Sequence, residues 1–299
     1  MADVAVTRDG TKIICGGGWT GGVGVWEVES HEHVKEWTHP EGWTKFAISP
    51  DDRLIAVGRR TVAIYTMEGR QVNRSIEVGG AVWSMCFSPD GMKLACSTFG
   101  DIRVYDVDSG TLILECRQTW VFDVLWSRDG SRLFSASNET ICCWNSDTGE
   151  RIGLIMTGHA DWIRSLSLSP DGSILASASF DRTVRFWDAT TGNPIGQHLL
   201  HDEKVNAVRF SPSGEFVASA AWGGKIYLWR VPWLNCVENR VRTLIRCDSV
   251  FIFIALSSRQ ALLISTRRAT ACTAHHCPSS IHTPRTSAAL SKCWISILV

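Results

Sequence analysis

The residues of this chain best suited to chemistry lie near its middle: His159, Ser177, Ser179 and Asp181. A histidine between a hydroxyl and a carboxylate is the arrangement that activates a serine for nucleophilic attack. Other stretches invite other chemistry. "GGGWTGG", Gly16 to Gly22, has the glycine density of a phosphate-cradling loop. "CTAHHC", Cys272 to Cys277, with His282 and Cys293 nearby, carries zinc-ligating residue types. Arg59-Arg60 could meet an anion, and Cys142-Cys143 is a vicinal thiol pair.

Most of these readings fail on context. The glycine stretch has no following Lys-Ser/Thr and opens no helix, so a phosphate loop is excluded. The Cys/His cluster matches no standard finger spacing. The two vicinal thiols fall in a strand, where successive side chains point to opposite faces, and a structural role is expected. Arg59-Arg60 reads as an exposed turn. No G-x-x-x-x-G-K-[ST], H-E-x-x-H or G-x-S-x-G motif is present. No catalytic residue, cofactor or metal ligand is therefore assigned.

What positions the His–Ser–Asp residues is a repeat. "TRDG" at Thr7–Gly10 returns as "SPDD" ending at Asp52 and "SPDG" ending at Gly91. It continues as "SRDG" ending at Gly130, "SPDG" ending at Gly172 and "SPSG" ending at Gly214. The steps between these last residues are 42, 39, 39, 42 and 42. About fifteen residues after each comes an aromatic: Trp26, Tyr65, Tyr105, Trp144, Trp187 or Trp229. Within the fifth unit, "WIRSLSLSPDG" alternates as a strand does, and its Ser-Pro-Asp-Gly is a turn. "SILASAS", "TVRFWD" and "PIGQHLL" supply three more strands separated by turns. Four short antiparallel strands per forty residues make one propeller blade.

These residues resemble the WD-repeat (WD40) family of β-propellers. The fifth unit carries the fullest match in Gly158-His159, Asp181 and Trp187-Asp188. The resemblance implies a structural hydrogen-bonded set inside the blade: His159, Ser177 or Ser179, Asp181 and Trp187. Its role is then to hold the blade together rather than to catalyse. The other units depart from the pattern. Unit six has His201 but glycines at the turn, unit two has His39 with Arg59-Arg60, and unit three keeps Asp101 without a histidine. Unit four ends in Trp144-Asn145, with Glu139 near its turn. These blades are expected to rely more on apolar packing and to be less stable.

The fold class expected is all-β, a WD40 β-propeller with six recognisable four-stranded blade units. The propeller domain is placed at 1–230, with units at 1–37, 38–78, 79–117, 118–157, 158–200 and 201–230. Residues 231–299 form an atypical C-terminal tail. It has no glycine, 8 basic and 2 acidic residues, whereas residues 1–230 hold all 25 glycines with 22 basic and 28 acidic residues. Three endings are open: a closed six-bladed ring, a divergent seventh blade built from the tail, or an incomplete seven-bladed ring with a foreign end. The last is preferred on composition.

The bulk numbers fit an ordinary globular chain, with 299 residues, 44% hydrophobic and 20% charged. Zero net charge offers no argument for nucleic acid, and no segment reaches the length of a membrane span. The start lacks a secretory signal, and 11 cysteines then read as reduced thiols in an intracellular setting, cytoplasmic or nuclear.

A binding face can also be read. Turns between second and third strands share one end of a propeller with the loops entering each first strand. Counting back seven residues from each third-strand aromatic gives Trp19, Phe180 and Trp222 among six positions. Counting back ten from the turn glycine gives Trp120 and Trp162, with Arg164 two residues on and Lys204 at the equivalent place in unit six. Aromatics and arginine are enriched at binding hot spots. The function expected is a non-catalytic scaffold that binds a protein or peptide partner on this aromatic-rich face. The alternatives are a propeller enzyme with a central-channel site, or a truncated product without independent function. The competing role for each tryptophan is a wedge packed between blades.

Overall fold

The repeated tetrapeptide locks a hairpin. In five of six repeats its first hydroxyl donates to the carboxylate two residues on, as Ser49 to Asp51 and Ser127 to Asp129, both at 2.6 Å. The same oxygen accepts a backbone N–H five residues on, from Leu54 at 2.8 Å and Ile174 at 2.9 Å. The fourth residue sits in the left-handed region, with φ of 59 to 78° across the six repeats. Glycine reaches it without strain. The second repeat uses Asp52 instead, and its carboxylate accepts the Arg8 N–H at 2.7 Å, tying the first two repeats together.

The structure is a computed structural model that describes residues 2–17, 22–38, 45–72, 75–231, 245–246, 255–256 and 262–263. The hairpins build six antiparallel sheets, one per repeat. Blade one holds β1 (Ala2–Val6), β2 (Lys12–Gly17), β3 (Gly22–Glu27) and β4 (His33–Thr38). Blade two holds β5 (Lys45–Ile48), β6 (Leu54–Gly58), β7 (Thr61–Thr66) and β8 (Ile76–Glu77). Blade three holds β9 (Ser84–Phe87), β10 (Lys93–Ser97), β11 (Asp101–Asp106) and β12 (Leu112–Arg117). Blade four holds β13 (Val121–Trp126), β14 (Arg132–Ser137), β15 (Thr140–Asn145) and β16 (Arg151–Thr157). Blade five holds β17 (Ile163–Leu168), β18 (Ile174–Ser179), β19 (Thr183–Asp188) and β20 (Leu199–Leu200). Blade six holds β21 (Val205–Phe210), β22 (Phe216–Ala221), β23 (Lys225–Arg230) and β24 (Ile245–Arg246).

Each sheet runs in sequence order, and the first strands β1, β5, β9, β13, β17 and β21 meet in turn around the ring. The last strand of blade six comes from beyond Arg230, with Ile226 paired to Ile245. A further ribbon, β25 (Ala255–Leu256) with β26 (Leu262–Leu263), touches both β1 and β21, between blade six and blade one.

The core lies between blades rather than within one. One cluster joins Ala95, Ile102 and Val104 of blade three to Val124, Trp126 and Leu133 of blade four. Cys142 belongs to that cluster and Cys143 to the next, which reaches Leu166 and Trp187 of blade five. The vicinal thiols thus pack on opposite faces of β15. Burial pushes both up, and pushes Cys96 up to about 12 and Cys116 to about 11, so these thiols are poor nucleophiles.

One local irregularity matters for the surface. The pairings β13–β14, β17–β18 and β21–β22 each skip one residue: Phe122, Arg164 and Asn206. A bulge at this point re-aims a side chain. The repeat therefore delivers three equivalent positions, with different residue types, to one end of the ring.

Candidate binding face

Two constellations stand at this end of the ring, one polar and buried, the other aromatic and open. The buried one is in blade five. His159 Nδ1 lies 2.7 Å from Asp181 Oδ2, and its Nε2 lies 2.7 Å from Ser177 Oγ. The indole N–H of Trp187 donates to Ser177 Oγ at 2.8 Å. A neutral imidazole satisfies every atom: Trp187 donates to Ser177, Ser177 to Nε2, and Nδ1–H to Asp181. Asp181 also accepts from the Thr183 hydroxyl at 2.6 Å and from the Ala160 N–H at 3.0 Å. Burial pushes its carboxyl up, but hydrogen bonds from His159 and Thr183 outweigh this and hold it well below the usual range. Ser179 does other work: its hydroxyl donates to the Asp161 carbonyl at 2.7 Å and accepts the Asp181 N–H at 3.0 Å. The Ser177 hydroxyl is fully buried and already engaged on both sides, so a substrate cannot reach it.

The neighbouring blades keep parts of this relay. In blade six, His201 Nε2 meets Ser219 Oγ at 2.7 Å and Trp229 donates to the same oxygen at 2.9 Å, with Gly223 and Gly224 in place of an acid. Blades three and four, expected to rely more on apolar packing, carry polar contacts of their own at this level. In blade four, Trp144 donates to Ser135 at 2.8 Å, and Ser135 donates to Gln118. In blade three, Arg103 pairs with Asp101 at 2.8 Å and donates to the Val78 carbonyl. The Gln118 amide meets the second strand of its blade as the His159 imidazole does, whereas the Arg103–Asp101 pair lies on the third strand, where blade five has Arg185 and Thr183.

The open constellation crosses blades three to six. Phe99, Trp120, Trp162, Phe180 and Trp222 follow one another in ring contact, with centroids 4.8, 6.3, 6.4 and 5.5 Å apart. Trp83 and Phe122 lie inside this arc, Trp83 against Phe99 at 4.8 Å and Phe122 against Trp162 at 5.2 Å. The outer members are exposed, with Trp120 at 46%, Trp162 at 42% and Trp222 at 49%. The sequence-derived face residues Trp120, Trp162, Arg164, Phe180 and Trp222 are therefore contiguous. Trp19, His39 and the CTAHHC cluster with His282 and Cys293 lie outside the described residues. Arg59 and Arg60 are exposed in the β6–β7 turn.

Backbone bonds brace the arc. The Trp120 N–H donates to the Phe99 carbonyl at 2.7 Å, across a blade boundary. The Phe180 N–H donates to Trp162 at 2.9 Å and the Trp222 N–H to Lys204 at 2.8 Å. Trp222 is further held by its indole N–H, which donates to Asn206 Oδ1 at 2.9 Å. The bulge residues enter here as well. Arg164 lies over Phe122 at 4.5 Å, over Phe180 at 5.3 Å and over Trp83 at 5.9 Å. Burial pushes its guanidinium down, while Asp123 below opposes that shift. Lys204 lies 4.7 Å from Phe180 and 3.4 Å from Asp161.

Trp83 and Phe122 stand eight residues before Gly91 and Gly130, as Arg164 stands before Gly172, whereas Phe99 escapes a fixed count. In blade five the turn between Ser179 and Thr183 holds three residues, and its first is Phe180. In blade three the turn between Thr98 and Asp101 holds two, so the aromatic slides by one position to Phe99. Among the described residues, no group of His, Cys, Asp and Glu converges as metal ligands would.

A ring of radially arranged four-stranded sheets, each locked by the same turns, defines a β-propeller. The chain belongs to the WD40-repeat family: the family model "WD domain, G-beta repeat" matches residues 73–106, 110–145, 151–188 and 192–230. Each match starts with the outer strand of one blade or the turn before it and ends on the third strand of the next, so the sequence repeat interlocks adjacent blades. Similar proteins include apoptotic protease-activating factor 1 of Danio rerio, 28% identical over 167 residues, which is 50% of this chain and 13% of that protein. Eukaryotic translation initiation factor 3 subunit I of Neurospora crassa is 37% identical over 82 residues, 27% of this chain and 23% of that one. WD repeat-containing protein SL1-17 of Schistosoma mansoni is 29% identical over 174 residues, 56% and 44% of the two chains. The chain thus spans less than half the length of these relatives. No helix among the described residues is long and apolar enough to cross a membrane.

Proposed function

We propose that this protein is a non-catalytic scaffold that binds a protein or peptide partner across the aromatic arc of blades three to six. The observation that carries this is the arc itself: five rings in succession, three of them tryptophans more than two-fifths exposed. Large contiguous apolar surface on a chain is a mark of an interaction site. The backbone bonds that brace it mean that little ordering is lost on binding. The relay His159, Ser177, Asp181, Trp187, supported by Ser179, is structural in this reading, because its hydroxyl is buried and engaged. The six described cysteines are all thiols, which fits a reducing, intracellular setting. Chemical cross-linking in cell extract, comparing wild type with a Trp120/Trp162/Trp222→Ala variant, tests it. Partners cross-linked to the arc in wild type disappear in the variant while its melting stays cooperative. Unchanged cross-linked partners would remove the arc from the interface.

A further inference from the structure

Arg164 is the residue on this face whose chemistry is unspent. Its guanidinium is flanked by the rings of Phe122 and Phe180 and hydrogen-bonds no described residue. Lys204, by contrast, is neutralised by Asp161 at 3.4 Å. The arc is an aromatic cage with a cation already inside it. That excludes the obvious occupant of such a cage: a lysine or methylated lysine would meet a like charge where it needs an empty ring face.

From this we infer that the arc recognises a peptide segment presenting an aspartate or glutamate carboxylate to Arg164, with an apolar neighbour stacked on Trp162 and Trp222. The inference rests on the docking role proposed above. Three features carry it. A guanidinium edge offers paired N–H donors that match the two oxygens of a carboxylate, and the flanking rings fix its plane. The stacking also shields Arg164 from water, which strengthens a charge-assisted hydrogen bond. The local charge balance favours a monoanion. Lys204 is paired with Asp161 and Asp123 acts on Arg164, so the positive charge left at the site is at most that of one cation; a carboxylate matches it, and a phosphate dianion would exceed it.

The test uses the full chain and four fluorescein-labelled nonapeptide pools. Each pool is randomised over apolar residues at the flanking positions and carries a central Glu, Gln, Lys or phosphoserine. Fluorescence anisotropy at fixed ionic strength reads the affinities. Wild type is expected to bind the Glu pool at least tenfold more tightly than the Gln pool, and the Lys pool weakest. Arg164→Met removes the Glu preference and leaves Gln-pool binding within about twofold; circular dichroism checks that it stays folded. Equal binding of the Glu and Gln pools, with both lost in Trp162→Ala, overturns the carboxylate inference and leaves the docking role standing. Tightest binding of the phosphoserine or Lys pool overturns it likewise. Binding of no pool overturns the docking role and the inference with it.

Discussion

The relay of blade five and the aromatic arc both use tryptophan and differ in closure. In the relay every donor meets an acceptor: Trp187 to Ser177, Ser177 to His159, His159 to Asp181. In the arc, Trp120, Trp162 and Trp222 present ring faces to solvent, and Arg164 keeps its donors. A closed polar set with no access from water has spent its chemistry on holding the blade. An open set on a braced backbone has kept its chemistry for something else. The His–Ser–Asp residues that look most catalytic in this chain are accordingly its least available ones.

The comparison breaks first at Trp187. Its side chain is fully buried, so Trp187→Ala should cost about 3–5 kcal/mol, read as a lower urea midpoint. A loss like that of a surface change would mean the relay is not the keystone of blade five. Asp181→Asn should cost less, about 1–3 kcal/mol, because it leaves the His159 imidazole with a weakened partner. Its effect carries a pH signature. Asp181 is held low in the fold, as are the turn carboxylates Asp9, Asp51, Asp90 and Asp171, with Asp129 lowered to about 2 by bonds from Ser127 and Ser131. A lowered folded pKa gives stability that is complete above the unfolded value of about 4 and fades below it. Wild type should lose stability between about pH 4 and pH 2, and the gap to Asp181→Asn should narrow over that range. A constant gap would contradict the assignment.

How much of this could be read from the chain differs between the two regions for physical reasons. The turn lock was legible because each position is dictated locally: a hydroxyl, a carboxylate two residues on, and a left-handed fourth residue. The relay in blade five was legible because all its members are present in type, although only geometry separates Ser177 from Ser179. The counterpart of His159 in blade four, Gln118, was not, since it reaches Ser135 from a different spacing than His159 reaches Ser177. On the arc, Trp120, Trp162, Arg164, Phe180 and Trp222 followed from the repeat; Trp83 and Phe122 hold the place of Arg164 in their own repeats and carry the same mark, whereas Phe99 was displaced by a shorter turn. Variation in turn length is invisible to a fixed count.

Blade six sharpens the contrast. It lacks the turn acid, and Gly223-Gly224 stands where blade five has Asp181-Arg182. Restoring the acid by Gly223→Asp should not stabilise it. Gly223 has φ of 72°, a conformation that costs a residue with a Cβ about 1–2 kcal/mol. A raised melting temperature would show that the backbone relaxes and that the missing acid alone weakens this blade. Smallest of all is the expected effect of Trp120→Ala on stability, within about 0.5 kcal/mol, because nearly half of that side chain is already in water.

The most direct test sets the two regions side by side: anisotropy binding of the central-Glu peptide pool to the Trp120/Trp162/Trp222→Ala variant, measured with its urea midpoint. The account predicts at least a tenfold loss of binding with a midpoint far closer to wild type than that of Trp187→Ala. Retained binding, or a midpoint that falls as far as in Trp187→Ala, would contradict it, for the tryptophans of the arc would then be wedges of the fold and not its binding face.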